Sequence, residues 1–398
     1  METNVDGIVA TERYGSAESW KYVVQDGVMQ RRKDGSSSFS LVGAFKSVFL
    51  PQGYPESVSE DYLQYQFWDT LQAFASTLSW TLVTQASLKG VGVGNQDATV
   101  AAATVTWILR DGTGMFGRIL FAWQKGSRLD SEAKKWRLFA DVLNDIAMFI
   151  EILAPFFPSF FTLIVCTAGV FKAIVGVAGG ATRAADLNVF SSKHELWSPF
   201  KYQIFLHSFL ASPFRLSLGL FFLFTILHLF ANYKAVRSVV METFNQARLS
   251  IVLQQYLKDK RILSPFEANQ REPVFLEFKI TTPIKLGVKL QDVVQSPEDF
   301  HLALRNNSMP YLLGVRNGCI CVCLGSGASV HDEIRAACQA LWLSNMLKSP
   351  SFSQTNKQKV IDANFHTFLK GVEAAGWDTK RTLLNWDEWR AEWKRKSS

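Results

Sequence analysis

Apolar residues gather most densely near the middle of this chain. From Ile152 to Phe171 it reads ILAPFFPSFFTLIVCTAGVF, 20 residues without a charge, and after Lys172 it resumes as AIVGVAGGAT. About 20 such residues make a helix that spans the hydrocarbon core of a bilayer. Pro155 and Pro158 fall at the start of the run, where a missing N–H is tolerated. Gly169, Gly176, Gly179 and Gly180 offer flat surfaces to a neighbouring helix. The central helix of a large water-soluble core would share this pattern, but the length and purity of the run favour the membrane. A second run covers Gln203 to Ala231 and is interrupted by Arg215. Its strongest part, LSLGLFFLFTILHLFA, has 16 residues, so a crossing there borrows from Phe205–Phe214 or lies partly in the interface. His228 has no second ligand at helical spacing and reads as a polar tip near the membrane edge, not a metal ligand.

Three other segments mix apolar faces with charge. Phe67 to Leu88 carries Asp69, Gln72, Ser76 and Ser79 at steps of three to four residues, one polar stripe on a helix. Ala98 to Trp123 is apolar at both ends, with Arg110, Asp111 and Arg118 inside. Next comes SEAKKWRLFADVLNDIAMFIEIL, a helix that Ser131 can cap. Phe139, Val142, Leu143, Ile146, Ile150 and Leu153 form its apolar face. Lys134, Arg137, Asp141, Asn144 and Glu151 form the opposite stripe, with Asp145 beside it. One reading is a solvated amphipathic helix on a membrane surface. In another, Asp141, Asn144 and Asp145 face Arg110, Asp111 and Arg118 inside a bundle. Ionisable groups at that depth mark ion or substrate paths, or form a purely structural buried network.

Gly112-x-Gly114-x-x-Gly117 fits the dinucleotide fingerprint letter for letter. That fingerprint needs a strand before it, a helix opening on it, and an acid closing a second strand about 20 residues on. Here Asp130 and Glu132 lie in a polar loop that runs into a helix, so the fingerprint fails. Helical spacing offers another use: Asp111, Gly114 and Arg118 share a face, and Thr113 with Gly117 makes a small-xxx-small step for a close neighbour.

Composition moves the picture the same way. Phenylalanine numbers 31 and charged residues make up 19%, against about 25% in soluble domains. The net charge of +7 is spread out, which suits anionic lipid headgroups and forms no aromatic-interleaved basic groove for nucleic acid. The five cysteines lack paired zinc spacing and read as reduced, small hydrophobes. The acidic N-terminal stretch has no apolar h-region and is neither a signal nor a transit peptide. Residues 124–137 and 232–262 are both rich in Lys and Arg, so both belong on the cytoplasmic side, with an even number of crossings between them. Two to four crossings in total fit the pattern.

Beyond residue 262 the chain becomes polar and punctuated by Pro265, Pro273 and Pro283. Tyr311 to Leu324 reads as a β-hairpin around Asn317-Gly318, the favoured two-residue turn. Helices follow at His331–Leu347 and near 360–375, then a tail with Trp377, Trp386, Trp389 and Trp393 that packs on its own domain. Gly325-Ser-Gly327 lacks the Lys-Ser/Thr of a phosphate cradle.

Several long strings resemble the root UVB sensitive family. They are Phe49-Leu-Pro-Gln-Gly-Tyr-Pro-Glu-Ser-Val58 with Asp61-Tyr62, Tyr65-Gln66 and Trp68-Asp69; Arg110-Asp-Gly-Thr-Gly-Met-Phe-Gly-Arg118 with Ile119–Ala122; Trp136–Leu138, Ala140-Asp141 and Leu143–Asp145; and Gly176–Arg183 with Ala231-Asn-Tyr233. The likeness covers about residues 40–185 and 215–260, and the C-terminal part more loosely. It implies a membrane-associated protein of a eukaryotic family with no established biochemical activity. Plant members are linked to ultraviolet-B responses, vitamin B6 homeostasis and auxin transport. The family pattern continues after Ala185 through a polar helix, whereas residues 186–214 here are Phe-rich and atypical.

The expected fold is mainly α: a membrane-embedded helical bundle over 46–262, after a polar region at 1–45 and before a smaller cytosolic α+β domain at 263–398. The expected function is that of an integral membrane, non-enzymatic interaction or homeostasis factor without cofactor or metal. Its expected partners are the lipid bilayer and a protein at the C-terminal domain. One alternative is a carrier whose path is lined by Arg110, Asp111, Arg118, Asp141, Asn144 and Asp145. A lesser one is a pyridoxal-phosphate-related factor, for which no lysine sits in a phosphate-and-base setting.

Overall fold

The computed structural model describes residues 8–14, 18–25, 28–33, 61–92, 100–126, 129–190, 214–275, 283–347 and 358–393. The motif at 49–58 and residues 191–213 of the atypical segment lie outside the described residues. Near the N-terminus, β1 (Ile8–Tyr14), β2 (Glu18–Gln25) and β3 (Val28–Lys33) form an antiparallel meander in a stretch that the sequence marked only as polar.

Among the described residues, five long helices make the central unit: α1 (Tyr62–Gly90), α2 (Val100–Lys125), α3 (Ala133–Leu153), α4 (Phe161–Phe190) and α5 (Phe214–Ser238). Helices α1, α3 and α5 pack on one another as a three-helix core; α4 packs on α3, and α2 on α4. Helix α3 begins without a side-chain cap. Its N-cap residue is Glu132, and the carbonyl of Ser131 accepts from Asn245 Nδ2–H at 3.0 Å.

The faces of α3 run opposite to those of a water-exposed amphipathic helix. Val142 and Ile146, from its apolar face, are exposed, whereas Lys134, Arg137, Asp145 and Glu151 are buried. The reading as a solvated surface helix is therefore corrected. The unit repeats this inversion elsewhere. Ile108, Phe116, Ile119 and Trp123 on α2 point outward, as do Phe222, Leu223 and Ile226 on α5, with Trp123 84% exposed. Two helical stretches, Pro158–Thr182 and Arg215–Ser238, are long and apolar enough to cross a membrane. Only 17% and 22% of their most apolar windows are buried, where the core helix of a water-soluble protein is mostly covered.

The chain then enters an α+β unit. Strand β4 (Thr243–Phe244) pairs in parallel with β8 (Asp378–Thr382). Helices α6 (Gln246–Asp259) and α7 (Pro265–Arg271) follow, α7 with a complete Ser264–Glu267 capping box. Beyond them come β5 (Ile284–Leu286), α8 (Pro297–Asn306), β6 (Tyr311–Arg316), β7 (Cys319–Gly325), α9 (Val330–Leu347) and α10 (Gln358–Ala374). Strand β7 lies beside β5 and β6, and its end pairs with β9 (Arg390–Ala391). The β6–β7 hairpin turns at Asn317 and Gly318, both with positive φ, as the sequence indicated. Helix α6 lies before the boundary at 262, yet its Leu249, Val252 and Leu253 pack into the same core as Ile320, Val322 and Ile334 of this unit. Trp377 stacks on Phe244 at 4.2 Å and donates to the Leu263 carbonyl at 2.8 Å. All five cysteines are free.

Candidate functional site

The inward faces of the three core helices carry polar residues at helical repeats. Helix α1 contributes Tyr65, Asp69, Gln72 and Ser79; α3 contributes Arg137, Asp141 and Asp145; α5 contributes Thr225, His228 and Asn232. These spacings of three, four and seven put each set on one face, and the packing turns the three faces toward each other. Arg137 donates to Tyr65 Oη at 2.6 Å and pairs with Asp69. Gln72 Nε2 donates to Asp141 Oδ2 at 3.0 Å and lies 3.1 Å from His228 Nε2. His228 Nδ1 lies 2.9 Å from Asp145 Oδ2. A continuous polar column results, from Tyr65 to Asp145.

Apolar clusters close the column at both ends. Tyr62, Tyr65, Ala133, Ala235, Val239 and Met241 cover the end next to the C-terminal unit. Leu82, Val83, Met148, Ile152 and Phe221 fill the core beyond the other. Several polar atoms between them have no hydrogen-bond partner: Ser79 Oγ, Thr225 Oγ1, Asp145 Oδ1 and both amide atoms of the fully buried Asn232.

The sequence expectation of one network of six residues divides in two. Asp141 and Asp145 enter the column, and Asn144 is half-buried on the same helix. Arg110, Asp111 and Arg118 lie on α2, which packs on α4 instead. Arg110 pairs with its neighbour Asp111 at 2.8 Å and stacks on Trp107, while Asp111 and Arg118 are exposed. The partners of Asp141 and Asp145 are Gln72 and His228, not the α2 arginines. His228 is fully buried, so the reading of a polar tip at a membrane edge is corrected. Its signal was present, a lone imidazole in an apolar run, but its partners lie 83 and 156 positions away. A second buried pair that spacing did not reveal joins Lys172 Nζ to Glu151 Oε2 at 2.5 Å, with Lys172 over the Trp80 ring.

The glycine motif serves helix packing. A Cβ on Gly114 would meet the Gly169 carbonyl at 3.3 Å, and one on Gly117 would meet Val170 Cγ1 at 2.9 Å. A Cβ on Gly169 would lie 2.7 Å from Arg110 Cγ. The motif lies wholly inside α2, so no strand precedes it and no phosphate loop forms.

Comparison with known proteins shows where this arrangement belongs. Residues 35–196 and 201–260 match the vitamin B6 photo-protection and homoeostasis domain, and residues 261–393 match the root UVB sensitive protein C-terminal domain. The chain belongs to the root UVB sensitive family. Protein root UVB sensitive 3 of Arabidopsis thaliana is 34% identical over 376 residues, 87% of this chain and 85% of that protein. RUS family member 1 of Dictyostelium discoideum is 40% identical over 265 residues, 62% of this chain and 50% of that protein. Protein root UVB sensitive 6 of Arabidopsis thaliana is 27% identical over 415 residues, 92% and 83% of the two chains. No solved structure matches.

In this root UVB sensitive protein the two family-matched regions are locked together below the column. Glu272 sits between Arg248 Nη1 at 2.9 Å and Lys134 Nζ at 3.5 Å, all three buried. Lys134 also donates to the Val239 carbonyl at 2.7 Å and to Asn269. Burial pushes the Glu272 carboxyl up, but the Arg248 and Lys134 charges and the Asn245 amide outweigh it and hold it below the usual glutamate range. Burial likewise lowers the Arg248 guanidinium, against Glu272. The basic segments before α3 and after α5 therefore meet at one end of the unit.

Proposed function

We propose that this chain is an integral membrane protein whose five-helix unit lies in a lipid bilayer, and that it serves vitamin B6 homeostasis without catalysing a reaction. The observation that carries the bilayer reading is the inversion of α3: apolar Val142 and Ile146 outside, Arg137 and Asp145 inside. A bilayer turns charged side chains inward and apolar ones outward, because the outside is then less polar than the interior. The matched domain description supplies the vitamin B6 part. The proposed protein partner would dock on the C-terminal unit in a groove of about 710 Å³ beside Lys289, Leu290, Trp389 and Arg390. Membranes holding the full chain, washed with alkaline carbonate, test the reading: the chain stays in the pellet, and its release into the wash would overturn the proposal.

A carrier is the second reading, favoured by the closure of the polar column at both ends. Its path runs through Asp141 and Asp145 and not along the exposed Arg118. Proteoliposomes offered labelled pyridoxine test it. Uptake lost in Asp145→Asn supports a carrier, and uptake equal to that of protein-free liposomes removes it.

A further inference from the structure

The charges in the column do not balance. Arg137 and Asp69 neutralise each other. Asp141 and Asp145 remain, with His228 between them. The same distances admit two states of the ring, because the roles at His228 depend on its tautomer and on which way the Gln72 amide faces. Gln72 Nε2 reaches Asp141 Oδ2 at 3.0 Å and His228 Nε2 at 3.1 Å, so its two amide hydrogens serve both neighbours. With the amide in this orientation His228 Nε2 accepts, and Nδ1–H donates to Asp145 Oδ2. In that state the ring is neutral, and the buried Asp145 and the half-buried Asp141 carboxylates stand without a cation, which disfavours both charges.

We propose that Gln72, Asp141, His228 and Asp145 form a proton-binding site that loads two protons together. One proton adds to Asp141 Oδ2 and one to His228 Nε2, both taken from water. The Gln72 amide turns half a revolution, and its Oε1, which has two lone pairs, accepts from both new donors. The loaded column is neutral: Arg137 with Asp69, imidazolium with Asp145, and a neutral Asp141. The unloaded column carries two negative charges. A single proton leaves the amide mismatched with one neighbour, which makes loading cooperative. The other groups facing the ring are Arg137 on α3, Asp69 and Tyr65 on α1, and Thr225 and Asn232 on α5.

A separate observation points to exchange with water. Asn232, one turn from His228 on the same face of α5, is fully buried with neither amide atom partnered, and Ser79 Oγ and Asp145 Oδ1 are in the same position. Buried polar groups of this kind bind water in proteins, and water at these atoms is the proposed route for the protons.

This inference rests on the column serving as the working site, but its test does not need a bilayer or a vitamin. The full chain in detergent is titrated by infrared spectroscopy, reading the C=O stretch of protonated carboxyl groups, with proton uptake measured in parallel. Wild type is expected to show a carboxyl band above about pH 5.5, where exposed carboxyl groups are ionised, that disappears as pH rises further, in one cooperative step. Asp141→Asn loses the band, Gln72→Leu splits the step in two, and the exposed control Asp259→Asn changes neither. A wild type with no such band at any pH overturns the proposal, even if the variants fail to fold. So does a band unchanged in Asp141→Asn, or a spectrum that responds to sodium in place of choline and not to pH.

Discussion

His228 Nδ1 lies 2.9 Å from Asp145 Oδ2, across an interface between helices that the sequence separates by 83 positions. Removing the ring leaves a buried carboxylate without its donor. His228→Ala is expected to destabilise the helical unit by about 3–5 kcal/mol. His228→Gln, which keeps a donor, loses less. Thermal unfolding in detergent reads both, and equal midpoints for His228→Ala and wild type would show that the pair contributes nothing.

The glycines make a paired prediction. Gly169→Ala drives a methyl toward Arg110 Cγ at 2.7 Å and the Arg110 carbonyl at 3.1 Å, an overpacking that costs about 1–3 kcal/mol. Nothing lies within 4 Å of a Cβ on Gly112, so Gly112→Ala gains up to about 1 kcal/mol of helix propensity. A nucleotide-binding loop would show the reverse order of sensitivity, with Gly112 the least replaceable.

Acid should open the joint between the two units. The folded Glu272 carboxyl sits below its ordinary range, so its contribution is complete above the unfolded glutamate pKa of about 4.3. It is lost as pH falls through the lower folded value. Glu272→Gln removes that acid limb and is already weaker at neutral pH, because Arg248 and Lys134 are left buried without a counter-charge, at about 3–5 kcal/mol. Denaturant unfolding across the acid range checks this; an identical acid limb in the variant would assign the sensitivity elsewhere.

Local chemistry made part of this structure legible. Asn317-Gly318 dictated its turn, and the apolar runs dictated α4 and α5. The stripe at Asp69, Gln72 and Ser79 and the run Arg137, Asp141, Asp145 both reached the column. Helical periodicity shows which residues share a face, but not whether that face looks outward or inward. A solvated helix would turn the charged face of α3 outward; here that face packs against α1 and α5, and no single helix carries that information. His228 escaped for the same reason, since its partners come from α1 and α3. Arg110 and Asp111 were set against the wrong helix because Gly114 and Gly117 specify close approach without naming the neighbour.

The most direct test of the inside-out helical unit is photolabelling by a lipid with a diazirine in its acyl chain. The full chain is reconstituted in liposomes, and the labelled residues are mapped by mass spectrometry. Label is predicted on the outward residues Ile108, Phe116 and Ile119 of α2 and Ile226 of α5, and not on Phe266 or Leu302, which are equally exposed but lie in the C-terminal unit. Label confined to the C-terminal unit, or absent from α2 and α5 alike, would contradict the account.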